Sequence, residues 1–229
     1  GALLYYGGEY IVRGASSFAL RNGVSMLVVG LTVVSIGTSA PELIVSLIAG
    51  AMGNTGISVG NIVGSNIANV GLVLGIAALI RPLSMQRSTI RVEIPFVLVA
   101  SGVLWITVID GTVSRFDGIL YLVLFSGFLY YCFRNRHGST QEEVGILPGK
   151  WQDWAFIALG IVGLFAGGQF FVKGSVVFAR MIGLSDFAIG LTVVALGTSL
   201  PELATSVIAA VRKRDDISVG NVLGSNIFN

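Results

Sequence analysis

An all-α, polytopic membrane fold built from inverted-topology repeats of five helices each is what this sequence predicts. Three observations predict it: a composition suited to lipid, apolar segments of spanning length, and an internal duplication at one fixed offset.

Only 11% of the 229 residues are charged and 54% are hydrophobic, with a mean hydropathy of +0.85. A water-soluble surface cannot be assembled from so few charges, so the expected surroundings are a lipid bilayer. The 31 glycines point the same way, because Gly weakens soluble helices but lets membrane helices approach closely. The formal net charge of +2 comes from cations scattered over short connections, which excludes a nucleic-acid partner. Cys132 is the single cysteine and His137 the single histidine. An internal disulfide is therefore excluded, a zinc or haem site is not expected, and Cys132 reads as a lipid-facing or packing residue. No cofactor and no obligatory protein partner is evident.

Taken in order, the apolar stretches lie at 1–20, 24–50, 57–80, 92–109, 117–134, 153–180, 186–211 and 216–229. The sequence opens at Gly1 and stops at Asn229 inside apolar stretches, so it reads as a fragment whose two outer helices are incomplete. Glu9 and Arg13 interrupt the first stretch and no cleavage site closes it, which makes it a truncated spanning helix rather than a signal peptide. Trp151 and Trp154 mark an interface. The expected division is a first membrane repeat at 1–134, a short connecting loop at 135–152 and a truncated second repeat at 153–229.

Alternate connections carry unequal charge. One set holds Arg21, Arg81, Arg87, Arg91, Arg134, Arg136, Lys150, Arg212, Lys213 and Arg214, and the other only Arg115 and Arg180. The first set is expected on the cytoplasmic side of a cell (inner or plasma) membrane, with the N-terminus outside and the central loop cytoplasmic. Arg13 and Lys173 fall within helices and are expected to snorkel.

The duplication carries the most information. Gly30–Asn69 aligns without a gap to Gly190–Asn229 and matches at 24 of 40 positions, at an offset of 160. Five helices separate corresponding points, an odd number of crossings that inverts the second copy and places a substrate site between the copies at the midplane.

Each copy holds an unusual intramembrane run, Gly37-Thr38-Ser39-Ala40-Pro41-Glu42 and Gly197-Thr198-Ser199-Leu200-Pro201-Glu202. A carboxylate at this depth costs at least about 2.5 kcal/mol, and no Lys or Arg lies in the corresponding part of either segment. A bound cation is the natural partner. Pro41 and Pro201 free carbonyls near Gly37 and Gly197, which supply further oxygens. Thr38 and Glu42 share a helix face beside Ser39, as do Thr198 and Glu202 beside Ser199. In the following helices Asn61, Ser65 and Asn69 recur every four residues, repeated by Asn221, Ser225 and Asn229. Gly60, Gly64, Gly220 and Gly224 provide the small-residue spacing that brings these helices together. Two carboxylates among neutral oxygens suit Ca²⁺, or two Na⁺, bound in turn.

At these residues the sequence resembles the sodium/calcium exchanger family of the cation/calcium exchanger superfamily. Gly-Thr-Ser-x-Pro-Glu and Gly-Ser-Asn-Ile-x-Asn each occur twice, in order and at matching distances. The resemblance covers the whole sequence and implies ten helices, about eight of them present. It also implies ion ligands at Thr38, Ser39, Glu42, Ser65 and Asn69, and at Thr198, Ser199, Glu202, Ser225 and Asn229, with backbone carbonyls of Ser35 and Ala195. The function it implies is antiport of Ca²⁺ against Na⁺ by alternating access, without enzymatic activity. Some relatives carry aspartate where Asn69 or Asn229 stands, and the amides here weigh against potassium co-transport. The short stretch from Asn135 to Lys150 leaves no room for a large regulatory domain, so a prokaryotic exchanger is the better match.

The rival readings are a Ca²⁺/H⁺ antiporter using the same glutamates, a cation channel and a non-transporting scaffold. Ser and Thr in membrane helices ordinarily bond back to the preceding turn, and only their place beside Glu sets these apart. Asn61, Asn66, Asn221 and Asn226 divide evenly between helix bonding and the ion path. A serine hydrolase is excluded because Pro41 replaces the second Gly of the elbow, and no Gly-Lys-Ser/Thr run is present for direct use of ATP.

Overall fold

Every regular element among the described residues of the computed structural model is a helix; the residues described are 1–134, 149–183 and 195–229. Helix α1 (Ala2–Asn22) stops where Gly23 takes a left-handed φ of 61°, a conformation glycine adopts without strain. Then follow α2 (Met26–Thr38), α3 (Ala40–Ala51), α4 (Thr55–Ile80), α5 (Thr89–Thr107) and α6 (Arg115–Arg134). The second half contains α7 (Lys150–Met181), a short α8 (Ala195–Thr198), α9 (Leu200–Val211) and α10 (Asp215–Phe228).

Four of these helices are long and apolar enough to cross a membrane, and the bent pair α2 and α3 makes a fifth. The break between α2 and α3 bends the path by 48°. Its cause is local. Pro41 has no N–H for the Gly37 carbonyl, and Ser39 leaves helical geometry at ψ 6°. Ser199 repeats the break at ψ 5° ahead of Pro201.

The expected segments agree with these helices to within a few residues. Helix α7 begins at Lys150, inside the expected connecting stretch 135–152, with the Gly149 N–H donating to Gln152 Oε1 at 3.2 Å. Residues 135–148 of that stretch and 184–194 of the seventh segment lie outside the described residues. Widened π-helical turns interrupt α2 at Gly30–Val34, α4 at Asn69–Leu74 and the start of α5 at Thr89–Glu93. Such turns concentrate at functional positions, and the second begins at a candidate ligand.

Helix α1 lies against α7. A Cβ on Gly160 would come within 2.7 Å of the Ile11 nitrogen, so only glycine permits this approach. Asp153, 1% exposed, accepts from Ser17 Oγ at 2.6 Å and from Arg21 Nε at 2.7 Å. Arg13 is exposed with its guanidinium over the Phe156 ring, 5.5 Å from the centroid. Cys132 is a packing residue, buried beside Phe128, Leu27, Leu31 and Leu223.

Helix α10 enters the centre of the molecule. Gly220 and Gly224 meet α2 there, and a Cβ on Gly224 would stand 2.5 Å from the Leu31 carbonyl oxygen. Gly60 and Gly64 do not repeat this contact with any described residue and are exposed. The stretch related to α2 by the offset of 160 lies mostly outside the described residues.

Candidate functional site

The two broken helices bring their glutamates to one buried place. Glu42 and Glu202 are each 1% exposed. The carboxylates lie within electrostatic reach of one another, although 160 residues separate them in the chain.

Hydroxyl groups cross between the repeats. Ser39 Oγ donates to Glu202 Oε1 at 2.7 Å, and the Thr38 and Ser225 hydroxyls also lie beside Glu202. The Glu42 carboxylate faces Thr198 and Ser199 of the other repeat. Thr38 Oγ1 further donates to Asn221 Oδ1 at 3.0 Å. Each glutamate is thus surrounded chiefly by hydroxyls from the other half of the chain.

A second layer holds the first in place. Asn61 Nδ2 donates to the Glu42 carbonyl at 3.2 Å and to Ser46 Oγ at 3.0 Å. Asn221 Nδ2 does the same to Glu202 at 3.3 Å and Ser206 at 3.0 Å. Ser58 Oγ donates to the Ser46 carbonyl at 3.0 Å, and Ser218 Oγ to that of Ser206 at 2.9 Å. Asn61 and Asn221 therefore bond helix to helix. The four serines were not among the sequence candidates, although their identity at the offset of 160 marked them.

Asn66 and Asn226 stand on the axis relating the repeats. Asn66 Nδ2 donates to the Asn226 carbonyl at 3.2 Å, and Asn226 Nδ2 to the Asn66 carbonyl at 3.5 Å. Such reciprocal contact between equivalent residues occurs where a two-fold axis passes. Their side-chain oxygens fix the neighbouring amides. Asn69 Nδ2 donates to Asn226 Oδ1 at 3.0 Å, and Asn229 Nδ2 to Asn66 Oδ1 at 3.3 Å. With its nitrogen so engaged, Asn69 has its Oδ1 left over.

Six buried oxygens at this place complete no hydrogen bond: both of Glu42, Oε2 of Glu202, Oδ1 of Asn69, and Oγ of Ser199 and Ser225. Buried polar atoms are ordinarily satisfied, so a concentration of acceptors around two carboxylates fits a ligand that is all donor or all positive charge. Ion pairs among the described residues lie elsewhere, as at Arg21–Asp153, Arg81–Asp215 and Arg212–Glu9. An array of carboxylate, hydroxyl and amide oxygens suits hard cations such as Ca²⁺ and Na⁺.

Of the remaining candidates, Ser65 is buried on α4. Ser35 is buried too, but its carbonyl already accepts from the Ser39 N–H at 2.9 Å and from Thr38 Oγ1 at 3.2 Å. Its use by an ion requires the Thr38 hydroxyl to turn away. Ala195 opens the short helix α8, one turn before Ser199.

The model of the family described as sodium/calcium exchanger protein matches residues 1–134 and 153–229. The putative antiporter CaxA of Alkalimonas amylolytica is 38% identical, over 99% of this chain and 74% of its own length. The sodium/calcium exchanger MaX1 of Methanosarcina acetivorans is 32% identical, over 99% and 77%. The solved structure of the sodium-calcium exchanger NCX_Mj, soaked with Na⁺ and Ca²⁺, superposes with a TM-score of 0.87 at 37% identity, covering 99% of this chain and 74% of that one.

Proposed function

This chain belongs to the sodium/calcium exchanger family as a prokaryotic member with its inverted-repeat membrane fold, and we propose that the counter-ion it exchanges for Ca²⁺ is Na⁺. The observation carrying this reading is the convergence of Glu42 and Glu202 among six unpartnered buried oxygens. Two carboxylates neutralise one Ca²⁺ or two Na⁺, so the same oxygens serve either load with little buried net charge. Competition for shared ligands, with the site presented alternately to the two sides, is the simplest route to exchange.

The ligands are Thr38, Ser39, Glu42, Ser65 and Asn69 with their counterparts Thr198, Ser199, Glu202, Ser225 and Asn229, joined by the Ser35 and Ala195 carbonyls. The membrane is the cell (inner or plasma) membrane, with the arginine-rich face cytoplasmic and the N-terminus outside. In vesicles containing the intact protein, a sodium gradient at fixed pH drives calcium uptake. Uptake driven by a pH gradient in the absence of sodium, with none from sodium, overturns sodium coupling in favour of proton exchange.

A further inference from the structure

The two repeats share their sequence motifs but not their surroundings. Helix α1 covers α9, where Ile208 is 8% exposed and packed with Ile11 and Val12. A Cβ on Gly8 would stand 3.3 Å from the Ala204 carbonyl oxygen. The counterparts of Ala204 and Ile208, Ile44 and Ile48 on α3, are 46% and 55% exposed. Gly168 on α7, the counterpart of Gly8, faces Gly197 and Pro201 at 3.7 and 3.9 Å instead. Among the described residues the α1–α9 seam is therefore closed, and its repeat-related counterpart is open.

A fork of two hydrogen bonds spans the closed seam. Arg212 Nη2 donates to Glu9 Oε1 at 2.7 Å and Arg212 Nε to Glu9 Oε2 at 3.0 Å. The Glu9 side chain is 13% exposed and that of Arg212 54%. At the offset of 160, Glu9 becomes Gln169 and Arg212 becomes Met52. Neither replacement carries a charge, so the opposite seam has no such pair when it closes.

We propose that Glu9–Arg212 is a one-sided latch that favours closure of the face bearing Arg212. In a protein whose repeats exchange roles, equal repeats make the two access states alike in free energy. A charge pair present in one state alone makes them unequal in population. This inference rests on the exchange reading above. Bidentate geometry favours the pair, while the half-exposed Arg212 limits its strength to that of a surface pair, about a fivefold bias.

The test uses E9Q, R212M and the charge-swapped double variant E9R/R212E in the intact protein, reconstituted with known orientation. Sodium half-saturation is measured separately from each face. Each single variant is expected to improve half-saturation on the Arg212 face and weaken it on the other, so that the ratio of the two changes by about fivefold, and the swap to restore both. No shift, or an equal shift on both faces, overturns the latch. Should the wild type show no sodium-driven calcium uptake, the exchange reading fails, and hydrogen–deuterium exchange in detergent tests the latch by itself. Faster exchange along α9 in both single variants, reversed in the swap, supports it; unchanged exchange overturns it.

Discussion

Ser39 donates its hydroxyl proton to Glu202 at 2.7 Å across 163 positions of chain, so a residue at the break of the first repeat completes the carboxylate of the second. Neither broken helix makes a finished half-site on its own. Swapping of hydroxyls between repeats ties the geometry of the site to the relative position of the two halves, as a transporter needs if movement of the halves is to alter ion binding.

Replacing either glutamate removes charge from a buried site where, among the described residues, no ion pair to a cationic side chain is present to compensate. Loss of one charged ligand in such surroundings costs about 2 to 5 kcal/mol, or about thirtyfold or more in affinity. Glu42→Gln and Glu202→Gln are each expected to abolish sodium-driven calcium uptake and weaken calcium binding by that factor, measured by titration calorimetry on folded protein. Unchanged binding in either variant removes that residue from the site.

The Asn66 and Asn226 side chains hold the proposed ligands from behind. Asn226 holds the Asn69 nitrogen at 3.0 Å, which leaves Asn69 Oδ1 unpartnered. Groups that orient metal ligands typically contribute about 10- to 100-fold in affinity. Asn226→Leu is expected to weaken calcium binding within that range while Glu202→Gln remains the more damaging change. If Asn226→Leu binds calcium as tightly as wild type, the amide is oriented by something else.

Much of this arrangement is legible in the sequence because the duplication gives every polar residue a partner at the same offset. Glu42, Thr38 and Ser39 stand out by pairing with Glu202, Thr198 and Ser199 in otherwise apolar sequence. The break at Ser39 follows from Pro41, and only its 48° bend needs coordinates. What the sequence leaves hidden depends on which residues meet across the axis. Asn66 and Asn226 look identical to Asn61 and Asn221 by composition and spacing, yet the first pair meets at the axis, whereas the amide nitrogens of the second tie each repeat internally. Ser46 and Ser206 carry the same signal as the proposed ligands but lie beyond the Gly-Thr-Ser-x-Pro-Glu run.

Close approach of α10 to α2 depends on glycine. A Cβ at position 224 would lie 2.5 Å from both the Leu31 carbonyl oxygen and Ser35 Oγ, and Ser35 precedes the break that holds Thr38 and Ser39. Overpacking of this kind costs about 1 to 3 kcal/mol. Gly224→Ala is expected to lower the thermal midpoint in detergent and to weaken calcium binding together. Gly102→Ala, where no heavy atom lies within 4 Å of the added carbon, is expected to change neither. Equal midpoints for the two variants contradict the packing argument.

The α1–α7 contact supplies a prediction that separates its two charges. Asp153 is 1% exposed, whereas its partner Arg21 is 19% exposed. Arg21→Met leaves the carboxylate enclosed with Ser17 Oγ as its remaining side-chain hydrogen-bond donor, and an unpaired buried charge is the costly half of a broken ion pair. Asp153→Asn strands no buried carboxylate and keeps an oxygen to accept from Ser17. Arg21→Met is therefore expected to destabilise the protein more than Asp153→Asn, by several degrees in thermal midpoint measured in detergent. The double variant Arg21→Met/Asp153→Asn should recover most of that loss, since it removes the stranded charge itself. The reverse order of the single variants would mean that the guanidinium, and not the carboxylate, is the group this contact shelters.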